Sequence, residues 1–176
     1  MRKLIFISSV SIFFICCLIH FTYDFLPCVF TSIFTPVNES TFEHMKMIFT
    51  SILIYSLFEY FLFNKINYKV NNFIFGSFIK SISSIFIFLI FYLPVYYRFG
   101  ENMIITFILL FISLLINSFI SFKIYKIKPF HLNIISIILI IITYIIFGYF
   151  TYNPIKNHFF FDVSEEKYGI NNYLIK

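Results

Sequence analysis

Apolar residues fill five long runs of the chain, at 4–23, 45–63, 81–97, 103–122 and 132–152, and short polar connectors separate them. A helix needs about 20 mostly apolar residues, and no fewer than about 17, to cross roughly 30 Å of hydrocarbon. Each run therefore predicts one membrane-spanning helix. The third can begin as early as Phe73, with Lys80 snorkelling to the interface. The fold expected is an all-α, five-helix transmembrane bundle in a single integral membrane domain, 1–176, with a tail over 153–176. Polar residues recur at four-residue steps within two runs: Ser51, Tyr55 and Glu59, and Ser113, Asn117 and Ser121. Such stripes act as hydrogen-bonding glue between helices. A polar pathway is the sharper alternative, but one acid, Glu59, supports it thinly. Glu59 lies near the end of its run, where Lys65 or Lys69 can meet it.

Composition agrees with the pattern. The chain is 60% hydrophobic and 12% charged, against about 45–50% and about 25% in average globular chains. That excludes a soluble domain, a disordered chain and a disulfide-stapled secreted module. Ala, Gln and Trp are absent while Phe reaches 29 and Tyr 13, a bias typical of AT-rich coding. The formal net charge of +5 is first a topology signal. Arg2, Lys3, Lys65, Lys69, Lys123, Lys126 and Lys128 flank one set of helix ends, while Arg98 is the main basic residue near the other. The positive-inside rule then puts the N-terminus in the cytoplasm and the C-terminus outside, in a multi-pass cell-membrane protein. No Lys/Arg cluster is long enough for nucleic acid. The three cysteines, Cys16, Cys17 and Cys28, form no disulfide framework. The start imitates a signal peptide, but its apolar stretch exceeds a signal core and no small-x-small site follows, so it reads as an uncleaved helix.

The ionisable residues are unevenly shared. Asp24, Glu39, Glu43, His44, Glu101, His158, Asp162, Glu165 and Glu166 fall on or beside the outer face, and His20 lies one turn inside it. The connector 24–40 is oddly apolar, with two prolines and no charge over 25–37. It should lie on the membrane or dip into the bundle, where backbone survives only when buried in protein or lining a cavity. In Pro36-Val-Asn-Glu-Ser-Thr-Phe-Glu-His-Met-Lys46, Ser40 and Glu43 have capping-box spacing, which explains those two as structural. It leaves Asn38, Glu39 and His44 unexplained. His20 and Asp24 are four apart and share a helix face, as do His158 and Asp162. The Phe159-Phe-Phe161 run is too short to span, so the tail should fold back and bring Asp162 near the Glu39–His44 segment. Carboxylates beside imidazoles at a membrane edge make a metal-ligand set, an acid–base pair or a hydrogen-bond clasp. The candidate metal ligands are His20, Asp24, His44 and Asp162. The candidate catalytic residues are Glu39, Glu43 and His44. No named catalytic motif is present.

Leu18-Ile-His-Phe-Thr-Tyr-Asp24, the Pro36–Lys46 segment, Tyr152-Asn-Pro154, Phe160-Phe-Asp162 and Tyr168-Gly-Ile170 together resemble a family of small bacterial multi-pass membrane proteins, domain of unknown function 6512. The family's pattern is a histidine near the end of the first helix, then P-V-N-E-S-x-W-E-H-x-K, closing with Y-x-P, F-x-D and Y-G-I. Phe42 stands where a Trp is usual, the tail lacks a second proline, and the chain runs six residues past Ile170. The resemblance implies a bacterial cell-membrane protein and implies no reaction.

The reading that follows is an outer-face polar site that holds a divalent, zinc-like metal and acts on a lipid or membrane-embedded substrate. Whether the protein is an enzyme stays open. A non-enzymatic accessory or envelope-stress protein, with the same residues as a structural clasp, is the first alternative. A small transporter is the second. The expected partners are the lipid bilayer and either a second copy or another membrane protein.

Overall fold

The computed structural model describes residues 2–100 and 102–170. Met1, Glu101 and 171–176, the end of the expected tail, lie outside the described residues. The chain is mostly helical, in the order α1 (Arg2–His20), α2 (Thr22–Phe25), α3 (Val29–Phe34), α4 (Thr41–Lys65), α5 (Phe73–Phe99), α6 (Met103–Ile124) and α7 (Asn133–Tyr152). A short antiparallel hairpin follows, β1 (Phe161–Asp162) against β2 (Lys167–Tyr168), with Phe161 opposite Tyr168. Five helical stretches are long and apolar enough to cross a membrane: Lys3–Phe25, which joins α1 to α2, and the four helices α4 to α7.

Four of the five form a closed ring. α1 packs on α4, α4 on α5, α5 on α6, and α6 back on α1. Ile12, Ile48, Ile52 and Leu114 pack within it with essentially no exposed surface, and Phe49, equally buried, packs on Tyr144 and Phe147 of α7. α7 stands outside the ring against α3 and α5 and turns Ile134, Ile138, Ile141 and Ile145 outward. An all-round apolar helix is stable that way only in hydrocarbon.

Local chemistry sets the helix ends. Ser40 opens α4 by accepting the Glu43 N–H at 3.4 Å, as an N-cap does. The reciprocal half of the expected capping box does not form. Asn38 Oδ1 takes the Ser40 N–H at 2.9 Å, and Glu43 turns into the protein. At the opposite end of the bundle Asn72, in the left-handed region at φ 52°, donates to the Lys128 carbonyl at 3.0 Å and accepts the Phe130 N–H at 2.6 Å. That one side chain ties the α4–α5 connector to the α6–α7 connector. α5 begins at Phe73, the earlier of its two expected starts. Lys80 does not snorkel from it: the side chain is fully buried and faces Glu59.

The connector 24–40 dips inward, as its composition predicts. α3 packs on α7 and α4, burying Thr31 and Ser32 while Phe25, Leu26 and Phe30 stay outward. The tail folds back over the start of α4. Phe42 stacks on Phe160 with centroids 4.6 Å apart, and its N–H donates to the Phe159 carbonyl at 3.1 Å. Gly169 fixes the return. Its φ is +56°, and a Cβ there would lie 2.5 Å from the Thr151 carbonyl, so a side chain is excluded by both backbone and space. Its own carbonyl accepts the Asn38 side-chain amide at 3.0 Å.

Candidate metal centre at one end of the bundle

The last residue of α1 and the first turn of α4 meet at one end of the ring. His20 Nε2 lies 3.4 Å from Glu39 Oε1, and His44 Nε2 lies 3.4 Å from Glu39 Oε2. The two imidazole centroids are 5.4 Å apart, so one ion can reach both rings. Glu39 thus presents one oxygen to each histidine. The donor atoms of the three residues all lie within 4.8 Å of one another, a group able to hold a metal ion. Bonds of about 2.0–2.1 Å in a tetrahedral site put donors about 3.4 Å apart, the separation of both His–Glu pairs.

Neighbouring groups orient these donors. His44 Nδ1 sits 2.9 Å from the Ser40 carbonyl. A carbonyl only accepts, so Nδ1 carries a proton, and Nε2 faces Glu39, donating to its carboxylate when the ring is an imidazolium and offering a lone pair to a metal when the ring is neutral. A histidine held this way on its far nitrogen is the usual arrangement around a metal. Lone pair and carboxylate repel unless a cation, a proton or a metal, lies between them. His20 has Nδ1 buried with no hydrogen-bond partner; its ring meets Glu39 through Nε2 and lies against Phe21 with centroids 4.8 Å apart. The hydrogen bond with His44, then the charges of both histidines, hold the Glu39 carboxyl below its ordinary range against the opposing effect of burial.

Asp162 stands behind the group. Its Oδ2 accepts the Glu39 backbone N–H at 2.9 Å. Its Oδ1 accepts the Ser164 N–H at 2.8 Å, the Ser164 hydroxyl at 2.6 Å and the Glu165 N–H at 3.1 Å. Burial alone would raise its carboxyl, but these hydrogen bonds outweigh it and the carboxyl sits below its ordinary range. The return of the tail thereby sets the backbone that carries Glu39. Of the residues singled out in the sequence, the structure brings together His20, Glu39 and His44. Asp162 touches the group through the backbone, with both oxygens engaged. Asp24 is exposed one turn beyond His20 and is not among the three. His158 is exposed as well.

Glu43 belongs to a different structure. It is buried and forms an ion pair at 2.5 Å with Lys46. Its Oε1 accepts the Thr151 hydroxyl at 2.9 Å and its Oε2 the Val37 N–H at 3.1 Å. Lys46 Nζ also donates to the Ser32 carbonyl at 2.7 Å and to Thr151 at 2.9 Å. This clasp joins α4 to α3, to the end of α7 and to the loop before α4. Lys46 and Thr151 were not expected here. Lys46 had a signal, its i, i+3 spacing from Glu43; Thr151 had none.

A cavity of about 390 Å³ opens beside the histidines. His20, Glu39, Thr41, His44 and Asn102 line its polar part, and Met47, Ile48, Phe88, Phe107 and Leu110 line its apolar depth. The volume falls within the range of small-molecule sites. A polar, metal-competent mouth over an apolar shaft suits a molecule with a polar head and a hydrocarbon tail.

A family model described as a family of unknown function (DUF6512) matches residues 1–170. No curated protein and no solved structure matches the chain.

Proposed function

The chain belongs to the family of unknown function DUF6512, and from that premise we propose that it is a bacterial cell-membrane protein with an extracytoplasmic metal site acting on a lipid or another membrane-embedded substrate. The observation that carries the proposal is the His20–Glu39–His44 donor group at the mouth of the part-apolar cavity. The lysine distribution supports an orientation with the N-terminus in the cytoplasm and the site outside.

His20, His44 and Glu39 hold a divalent, zinc-like ion. When bound, such an ion polarises a carbonyl or phosphoryl oxygen as a Lewis acid. Thr41 and Asn102 at the mouth bind and orient the polar head, while Met47, Phe88, Phe107 and Leu110 exclude water around the tail. Glu43 is sealed in the clasp with Lys46 and Asp162 is saturated by N–H and O–H donors. Asp24, exposed one turn beyond His20 and outside the cavity lining, is therefore the carboxylate assigned to accept a proton at this end of the bundle. Incubation of the zinc-loaded, detergent-purified protein with radiolabelled lipids extracted from its host membrane tests the reading. Turnover or saturable binding that Glu39→Gln abolishes and Glu166→Gln leaves intact is the expected result. Metal-loaded protein that neither binds nor alters any of them overturns it.

A second reading has its own observation. The Asp162 hydrogen bonds and the Glu43–Lys46 clasp lock loop, helix and tail together without any ion. A non-enzymatic accessory protein needs no more than that, and in that case His44→Ala lowers thermal stability and changes nothing else.

A further inference from the structure

The face of α4 that presents His44 continues downward through Ile48, Ser51 and Tyr55 to Glu59, at spacings of four, three, four and four residues. The face of α1 that presents His20 continues through Cys16 and Ile12 to Ser9 and Ser8. A second polar centre therefore lies beneath the first. Ile12, Ile48, Phe88 and Leu114, all buried, form an apolar layer between the two.

Glu59 and Lys80 occupy this inner centre at 1% and 0% exposure. Lys80 Nζ is 3.8 Å from Glu59 Oε1, too long for a hydrogen bond. Lys80 donates to the Ser8 hydroxyl at 2.6 Å and sits 5.2 Å from the Tyr55 ring. Glu59 Oε2 accepts the Tyr125 hydroxyl at 3.1 Å, while Oε1 is buried with no hydrogen-bond partner. Hydroxyls of four helical segments surround the pair: Ser8 and Ser9 of α1, Tyr55 of α4, Ser77 of α5, and Ser118 of α6 with Tyr125 just after it. Among the described residues, the titratable groups facing it are Tyr55 and Tyr125, and α1 and α5 bring none beyond Lys80 itself.

Interhelical glue does not account for this arrangement. Ser9 already bridges to Ser118 at 3.0 Å and Ser83 to Asn117 at 2.5 Å, with no charge needed. Burying two ions costs more than their attraction returns unless every remaining lone pair and proton is satisfied. Here a carboxylate oxygen and an ammonium group face each other without closing. Ionisable residues at membrane depth mark proton and ion sites.

We infer that Glu59 and Lys80 form an intramembrane proton-exchange site, with the Tyr125 hydroxyl as its third member. Within the pair, the Lys80 N–H bond breaks and an O–H bond forms at Glu59 Oε1. Ammonium and carboxylate become amine and carboxylic acid, and the net charge is unchanged. Glu59, Lys80 and Tyr125 are all fully buried, so exchange with solvent waits on a local opening of the packing around them. In that opened state a hydronium ion gives its proton to the Glu59 carboxylate. Hydronium and carboxylate are converted to water and carboxylic acid.

Difference infrared spectroscopy of the full chain in lipid tests this. On a pH step, the wild type is expected to show a carboxylic-acid C=O band that moves to lower frequency in D2O. The band should vanish in Glu59→Gln and persist in Glu39→Gln, which leaves the inner centre intact. Lys80→Met, which keeps most of the stem, should shift the pH at which the band appears. Wild-type and Glu59→Gln spectra that superimpose in the acid region overturn the inference. So does a band that Lys80→Met leaves unmoved, which also covers a Glu59 variant that fails to fold.

Discussion

Among the described residues two Glu–Lys pairs are buried, and they are built differently. Glu43 and Lys46 sit on consecutive turns of α4, touch at 2.5 Å, and fill the rest of their hydrogen-bonding capacity with Ser32, Val37 and Thr151. Glu59 and Lys80 come from different helices, stand 3.8 Å apart, and leave Glu59 Oε1 without a partner. The first pair is closed: every polar atom holds a neighbouring segment, so it fixes structure. The second is open: its helices are already bridged by hydroxyls, so its charges are available for exchange. Sequence alone pairs neither couple: Glu43 reads as a capping-box residue, and Glu59 is matched to Lys65 or Lys69. The completeness of their partners separates them.

The comparison breaks most visibly at the closed pair. Lys46→Met leaves the Glu43 carboxylate buried without its counter-charge. It should cost about 3–5 kcal/mol, read as a large drop in the thermal midpoint in detergent, or as failure to purify folded protein. A midpoint close to wild type would show that the clasp carries little. Asp162→Ala comes next. It strips acceptors from the Glu39 N–H, the Ser164 N–H and hydroxyl, and the Glu165 N–H. A loss of about 2 kcal/mol is expected, with weaker zinc binding because the Glu39 backbone is released. Calorimetric zinc titration beside thermal unfolding separates the two effects.

Acid gives a smaller, graded effect. Glu39, held low first by its hydrogen bond with His44, and Asp162, held low by hydrogen bonds that outweigh burial, both have depressed carboxyls. The unfolded chain protonates such groups at about pH 4. Their stabilisation is therefore complete above that value and falls away as pH drops through the lowered folded values. Unfolding midpoints measured from pH 6 to pH 2 should decline at the acid end, and Asp162→Asn should flatten that decline. A profile identical in the variant would remove Asp162 from the explanation. The smallest stability change belongs to the open pair. Glu59→Gln/Lys80→Met removes both charges with little change of shape, and should alter stability by less than about 1 kcal/mol while abolishing the carboxylic-acid band. A loss as large as that of Lys46→Met would make the open pair a second clasp.

Much of this was legible in the sequence. Four of the five apolar runs lie within membrane-length helices and the fifth overshoots Asn133–Tyr152 by one residue, because helix period and bilayer thickness leave few alternatives for such runs. The dip of 24–40 and the return of the tail were legible as well, since neither is polar enough to stay in water. The sequence put His20 and the Glu39–His44 segment at one end of the bundle, but that they meet there was not legible in it. What was missed depends on which way single side chains point. Lys80 was expected to snorkel because an apolar window does not reveal that its face of α5 meets Glu59, and Glu59 was matched to Lys65 or Lys69 on sequence distance. Glu43 was expected to reach back to the Ser40 N–H, which Asn38 takes instead. These choices are made between helices, where one chain's pattern is silent.

The central claim is that His20, Glu39 and His44 bind a metal ion, and elemental analysis of the detergent-purified protein tests it most directly. The wild type should carry near-stoichiometric zinc or another transition metal, and a folded His20→Ala/His44→Ala double variant should carry none. Folded wild-type protein without metal, even after incubation with excess zinc, or equal metal in both samples, would contradict it.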